Sequence, residues 1–131
     1  MKLTTLVIPG RVMVKKNSKQ ISKRGGRIFV RSSNQFTRWE AIASLELRKQ
    51  FKGNPFEQEL EAHFEFHFAN KQSEPDASNC IEGPQDCLQK AGIIKNDKQI
   101  KKVVAEKLFG GEPKTVIHLY TYEGKPHGAL G

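Results

Sequence analysis

Hydrophobic and polar residues alternate strictly through LEAHFEFHFA (60–69). Ala62, Phe64, Phe66 and Phe68 fall on one side, and Glu61, His63, Glu65 and His67 on the other. A period of two predicts a strand with one buried face. LTTLVIP (3–9) predicts a first strand closed by Pro9-Gly10. RIFV (27–30) predicts a short strand, read as the return arm of a hairpin begun near Val12–Val14 with its turn at Gly25-Gly26. The period then changes. Phe36, Trp39, Ala43, Leu47 and Phe51 lie on one helical stripe, so a helix is expected from a cap at Ser32, Ser33 or Asn34 to about Gln50. Gly53 and Pro55 stop it. CLQKAG closes a second helix at Gly92, and strands are expected over about Ile100–Phe109 and 115–122. Residues 1–122 therefore read as one domain of mixed α and β structure, with 123–131 a frayed tail.

The 131 residues, 37% of them hydrophobic, suffice for one core, and no apolar run reaches membrane-spanning length. The start of the chain is interrupted by Pro9-Gly10 and Arg11 too early for a signal peptide, so Cys80 and Cys87 are expected to be reduced thiols of a cytoplasmic protein. Charge adds an asymmetry. The net charge is +8, yet no acid precedes Glu40, and ten of the 22 Lys and Arg residues do. Within that stretch, KKNSKQISKRGGR lacks the interleaved aromatics of a base-stacking platform. It favours phosphate-backbone contacts through Lys15, Lys16, Asn17, Lys19, Arg24 and Arg27. The plainer reading is a solvated basic loop.

The acids concentrate elsewhere. PDASNCIEGPQD (75–86) carries Asp76, Glu82 and Asp86, oxygen donors of the kind Mg²⁺ or Mn²⁺ prefers. A helix starting near Ser78 would align Ser78, Glu82 and Asp86 on one face but would hold Pro84 in its interior. A helix starting at Gly83, with Pro84 in its first turn, would leave 76–83 as a loop. Acids near a helix start also suit its dipole with no metal present. Zinc on His63 and His67, with Glu65 between them, is a rival, set against an ordinary wet strand face.

In order, IPGRVMVKKNSKQ, FTRWEAIASLELRK and PDASNCIEGPQDCLQKAGIIKNDKQI resemble the RusA family of Holliday-junction resolvases, small endonucleases often carried by phages and prophages. The family pattern D-x-D-N-x-x-K, D-x-L, G, D-D-x-Q-I falls on Asp76, Asn79, Asp86, Asp97, Gln99 and Ile100, and a lysine on the next strand falls on Lys107. The chain departs from it at Ser78 for the second aspartate, Glu82 for the lysine and Asn96 for the first aspartate of D-D. Ser78 and Glu82 are four residues apart, so on a helix the longer acid can reach the place vacated at 78. The resemblance implies a mixed sheet flanked by two main helices, an α/β (α+β) fold working as a homodimer. It further implies Mg²⁺-dependent cleavage of four-way junctions in DNA recombination and repair. Asp76, Glu82 and Asp97 would be catalytic metal ligands with Asp86 beside them, and Lys107 would join the DNA contacts. A non-catalytic junction- or duplex-binding protein is the other reading.

Overall fold

The computed structural model describes residues 1–15, 19–24, 27–32, 34–72 and 74–124, with backbone alone for 19–24 and 27–32. The chain runs β1 (Lys2–Pro9), β2 (Lys19–Arg24), β3 (Arg27–Ser32), α1 (Asn34–Gln50), β4 (Leu60–Phe68) and α2 (Ala77–Lys90). A 3₁₀ turn (Asp97–Gln99), β5 (Ile100–Phe109) and β6 (Lys114–Thr121) complete it. Four strands form a mixed sheet in the order β1-β6-β4-β5, and β2 and β3 pair separately as an antiparallel ribbon. In the sheet, β4 is antiparallel to β6 and parallel to β5. A parallel pair needs a crossover, and α2 with the 3₁₀ turn provides it.

The alternation in β4 sets which face the helices cover. Leu60, Ala62, Phe64, Phe66 and Phe68 are buried, while Glu61, His63, Glu65 and His67 are half-exposed. Each fully buried Phe contributes about 1.5–3 kcal/mol relative to an exposed one, so this strand anchors the core. Leu6 and Ile8 of β1, Ala43 and Leu47 of α1, Leu88 of α2 and Ile117 and Leu119 of β6 join it. No helix among the described residues is long and apolar enough to cross a membrane.

One expectation is corrected and one open alternative is decided. The hairpin begins at Lys19 rather than near Val12–Val14, and pairs Lys19 with Ser32 through to Arg24 with Arg27. Val12 and Val14, 6% and 9% exposed, belong to the main core instead. Of the two readings of α2, the longer helix is the one formed: it runs from Ala77 with Pro84 inside. Pro84 has no N–H for the Cys80 carbonyl, a local cost that the packing of the helix outweighs. Gly83 does not start a helix but lets two elements touch. A Cβ there would stand 3.1 Å from the Met13 carbonyl oxygen and 3.1 Å from the Trp39 ring. The Gly25-Gly26 turn and residues 125–131 of the expected tail lie outside the described residues.

Candidate active site

Helix α2 carries the acidic motif on one face, and the chain returning from it brings up a further acid. Ser78, Ile81, Glu82, Gln85, Asp86 and Asp97 line one open depression of about 320 Å³. Ser78, Glu82 and Asp86 share it because one helical turn separates each from the next. Like charges at that spacing repel by about 0.2–0.5 kcal/mol in an isolated helix.

Asp97 is held there by its neighbours. Its backbone N–H donates to Gln89 Oε1 at 3.2 Å. Asn96 caps the 3₁₀ turn, its side chain accepting from the Lys98 N–H at 2.8 Å. Gln99 clamps the turn from both sides. Its Oε1 accepts from the Lys95 and Asn96 N–H groups, each at 2.8 Å, and its Nε2 donates to the Phe56 and Gln58 carbonyls at 2.8 and 3.0 Å. The position where the family pattern has its first D-D aspartate thus has a capping role here. No sequence signal pointed to Gln89, and Gln99 entered only as a motif letter.

Asp76 is the N-cap residue of α2, with extended backbone (φ −64°, ψ 141°), yet its carboxylate makes no capping hydrogen bond. It is exposed at the N-terminal end of the helix and does not line the depression. Lys107 stabilises the loop just before it: Nζ lies 3.1 Å from Glu74 Oε2 and 3.4 Å from the Pro75 carbonyl. Asn79 packs in the first turn, its backbone N–H bonded to the Asp76 carbonyl at 3.0 Å.

Of the expected basic cradle, Lys15 is the residue whose side chain is described. Lys15 does not stand free: its Nζ donates to Asp86 Oδ2 at 2.7 Å and lies 3.8 Å from Glu82 Oε1. The Asp86 hydrogen bond raises the Lys15 ammonium above its ordinary value, outweighing partial desolvation. Lys16 and Asn17 lie outside the described residues, as do the side chains of Lys19, Arg24 and Arg27. The backbone does place the last three on the β2–β3 ribbon.

As a cation site, the depression offers hard oxygen donors, three carboxylates and the Ser78 hydroxyl, which suit Mg²⁺ or Mn²⁺ in kind. Among the described residues no three His, Cys, Asp or Glu groups converge closely enough to hold an ion. The donors fit by chemistry and shared location, and rotation of the exposed Glu82 and Asp97 side chains would have to bring them together.

The histidines offered for zinc are separated by their partners. His63 Nε2 lies 2.5 Å from Glu61 Oε2, and His67 Nε2 lies 3.0 Å from Glu65 Oε1. The other Glu65 oxygen lies 2.7 Å from His118 Nε2. Hydrogen bonds from His118 and then His67 depress the Glu65 carboxyl, and the bond to His63 depresses Glu61. Cys80 and Cys87 are free and buried, and burial pushes their thiols up to about 11 and about 12. Neither is poised as a nucleophile.

Comparison with known proteins adds an independent line. Residues 9–120 match the family described as Endodeoxyribonuclease RusA. A protein of Aquifex aeolicus (strain VF5), named crossover junction endodeoxyribonuclease RusA, is 32% identical over 111 residues, covering 84% of this chain and 86% of the relative.

Proposed function

Because the chain belongs to the endodeoxyribonuclease RusA family, we propose that it resolves Holliday junctions as a crossover junction endodeoxyribonuclease. The observation that carries the catalytic assignment is the meeting of Glu82 and Asp97 in one depression, from a helix and from a separate turn. Asp76, Glu82 and Asp97, with Asp86 beside them, would hold one or two Mg²⁺ ions, or Mn²⁺ in their place. When bound, such an ion activates water for attack on a phosphodiester and stabilises the charge on the leaving oxygen. Glu82 takes the part of the carboxylate missing at Ser78. That assignment is supported by the continuous helix, which sets the two residues one turn apart on one face.

The remaining residues orient and bind. Gln89 and Gln99 fix the turn carrying Asp97, and Lys107 fixes the loop leading to Asp76. In this reading Lys107 acts on DNA through that loop. Lys16, Lys19, Arg24 and Arg27 would neutralise phosphates of the junction arms, and Asn17 would hydrogen-bond to them. Affinity should therefore fall steeply with salt. Two copies related by a twofold axis supply the two cuts a four-way junction needs, so the working form is a homodimer acting in the cytoplasm.

The test is a labelled four-way junction incubated with Mg²⁺ and either the wild-type protein or Asp76→Asn. Paired cuts by wild type, with binding but little cutting by Asp76→Asn, are expected. A wild-type protein that binds the junction and cuts it in neither Mg²⁺ nor Mn²⁺ would overturn the reading.

A further inference from the structure

Lys15 and Asp86 are 71 residues apart, and tertiary packing alone brings them together. Val12 and Val14 enter the core, fixing the extended segment between β1 and the ribbon. The missing side chain of Gly83 lets the Met13 backbone pass directly over α2. Two residues further on, Lys15 reaches Asp86, which follows Gly83 by one helical turn, and also meets Glu82 beside it. This pair is not an ordinary surface bridge. Of the described lysine–carboxylate pairs, only those of Lys15 and Lys107 hold the lysine side chain below a third exposed, at 29% and 28%. A lysine bound to two carboxylates also presents little net charge to a phosphate.

We propose that Lys15 is a positioning residue of the cleavage site, and that Asp86 is its seat rather than a cation ligand. Lys15 removes the repulsion between Glu82 and Asp86 and holds Glu82 facing the depression it shares with Asp97. It thereby replaces, from the opposite side of the helix contact, the cation lost where Glu82 stands for the family lysine. The inference rests on the junction-cleaving reading, and it withdraws Lys15 from the arm contacts and Asp86 from the ligands.

Its test compares Lys15→Met, Asp86→Asn and the double variant by three measurements. These are junction affinity in EDTA over a range of salt, single-turnover cleavage of pre-bound junction in Mg²⁺, and metal-free melting temperature. Lys15→Met is expected to bind within about twofold of wild type with an unchanged salt slope. Its cleavage should be about 10- to 100-fold slower, the range lost with partners that orient ligands. Lys15→Arg should recover most of that rate. Asp86→Asn should show the same loss, and the double variant no more than either single one, because both remove one contact.

A salt slope shallower by about one, with bound junction cut at the wild-type rate, makes Lys15 a phosphate contact and overturns the proposal. Losses that multiply in the double variant also overturn it, since Asp86 would then act independently. If melting shows that Lys15→Met does not fold, Asp86→Asn decides alone, and a wild-type rate there sinks the idea. Failure of the wild-type protein to cut removes the cleavage reading instead. The EDTA binding arm still decides whether Lys15 contacts phosphate.

Discussion

Among the described residues, the carboxylates on the open face of the sheet and those on α2 find their partners in opposite ways. On the open face of the sheet, His63 pairs with Glu61, while His67 and His118 share Glu65. Those partners come from the same strand or from its direct neighbour, with His63 opposite His118 across β4 and β6. On α2 a single lysine from a distant segment serves Glu82 and Asp86. The Asp76 carboxylate makes no capping hydrogen bond to its helix. Carboxylates whose oxygens already hold hydrogen bonds have little left to offer a ligand. Carboxylates left with an excess of negative charge attract a cation, which is why the α2 surface is the one proposed for cleavage.

The contrast breaks most visibly at Asp97. Asp97→Asn should slow cleavage of bound junction by at least about 100-fold, because ion-mediated charge stabilisation is worth several kcal/mol and 1.36 kcal/mol is a factor of ten. Junction affinity in EDTA should be retained, and single-turnover kinetics on pre-bound substrate read both. Next in size is Gly83→Val, which forces a side chain against the Met13 carbonyl and the Trp39 ring. Overpacking of this kind costs about 1–3 kcal/mol, measurable by urea unfolding, and should slow cleavage by displacing Lys15. Wild-type stability would remove the close contact from the account.

On the sheet face the expected effects are small. His63→Gln and His67→Gln should each leave junction cleavage within about twofold of wild type, since neither histidine lines the depression. A tenfold loss would make that face functional. The smallest effect is on acid stability. Hydrogen bonds from His118 and His67 hold the Glu65 carboxyl below its ordinary 4.5, so the charged form stabilises the folded state above that value. The stabilisation disappears as pH falls through the depressed folded value, where both states bind the proton. Melting temperatures of wild type and Glu65→Gln should therefore differ most above pH 4.5 and converge as pH falls below it. A pH-independent gap would contradict the bonding seen.

Most elements were legible because each has a single clear period. Alternation in 60–68 marked β4, and the Phe36–Leu47 stripe marked α1 and its buried face. Asp76, Glu82, Asp86 and Asp97 were legible as acids in a motif. That Asp97 shares a depression with Glu82 and Asp86 while Asp76 stays outside it was not, since Asp97 is placed through bonds from Gln89 and Gln99 that no local pattern encodes. Gly83-Pro84 left the start of α2 open for a physical reason. The pair has the chemistry of a helix start, yet the glycine is there for a close contact and the proline is tolerated within the packed helix. Val12 and Val14 matched a hairpin arm equally well until the core claimed them. Lys15 read as one more basic residue because its partner lies 71 positions away.

The most direct measurement is single-turnover cleavage of a pre-bound four-way junction by Glu82→Gln in Mg²⁺. Gln keeps the size and the helix but removes the charge that Glu82 is held to supply in place of the missing acid at Ser78. The rate is expected to fall by about 100-fold or more while junction binding in EDTA stays at the wild-type level. Cleavage at an undiminished rate would show that Glu82 is no part of the site.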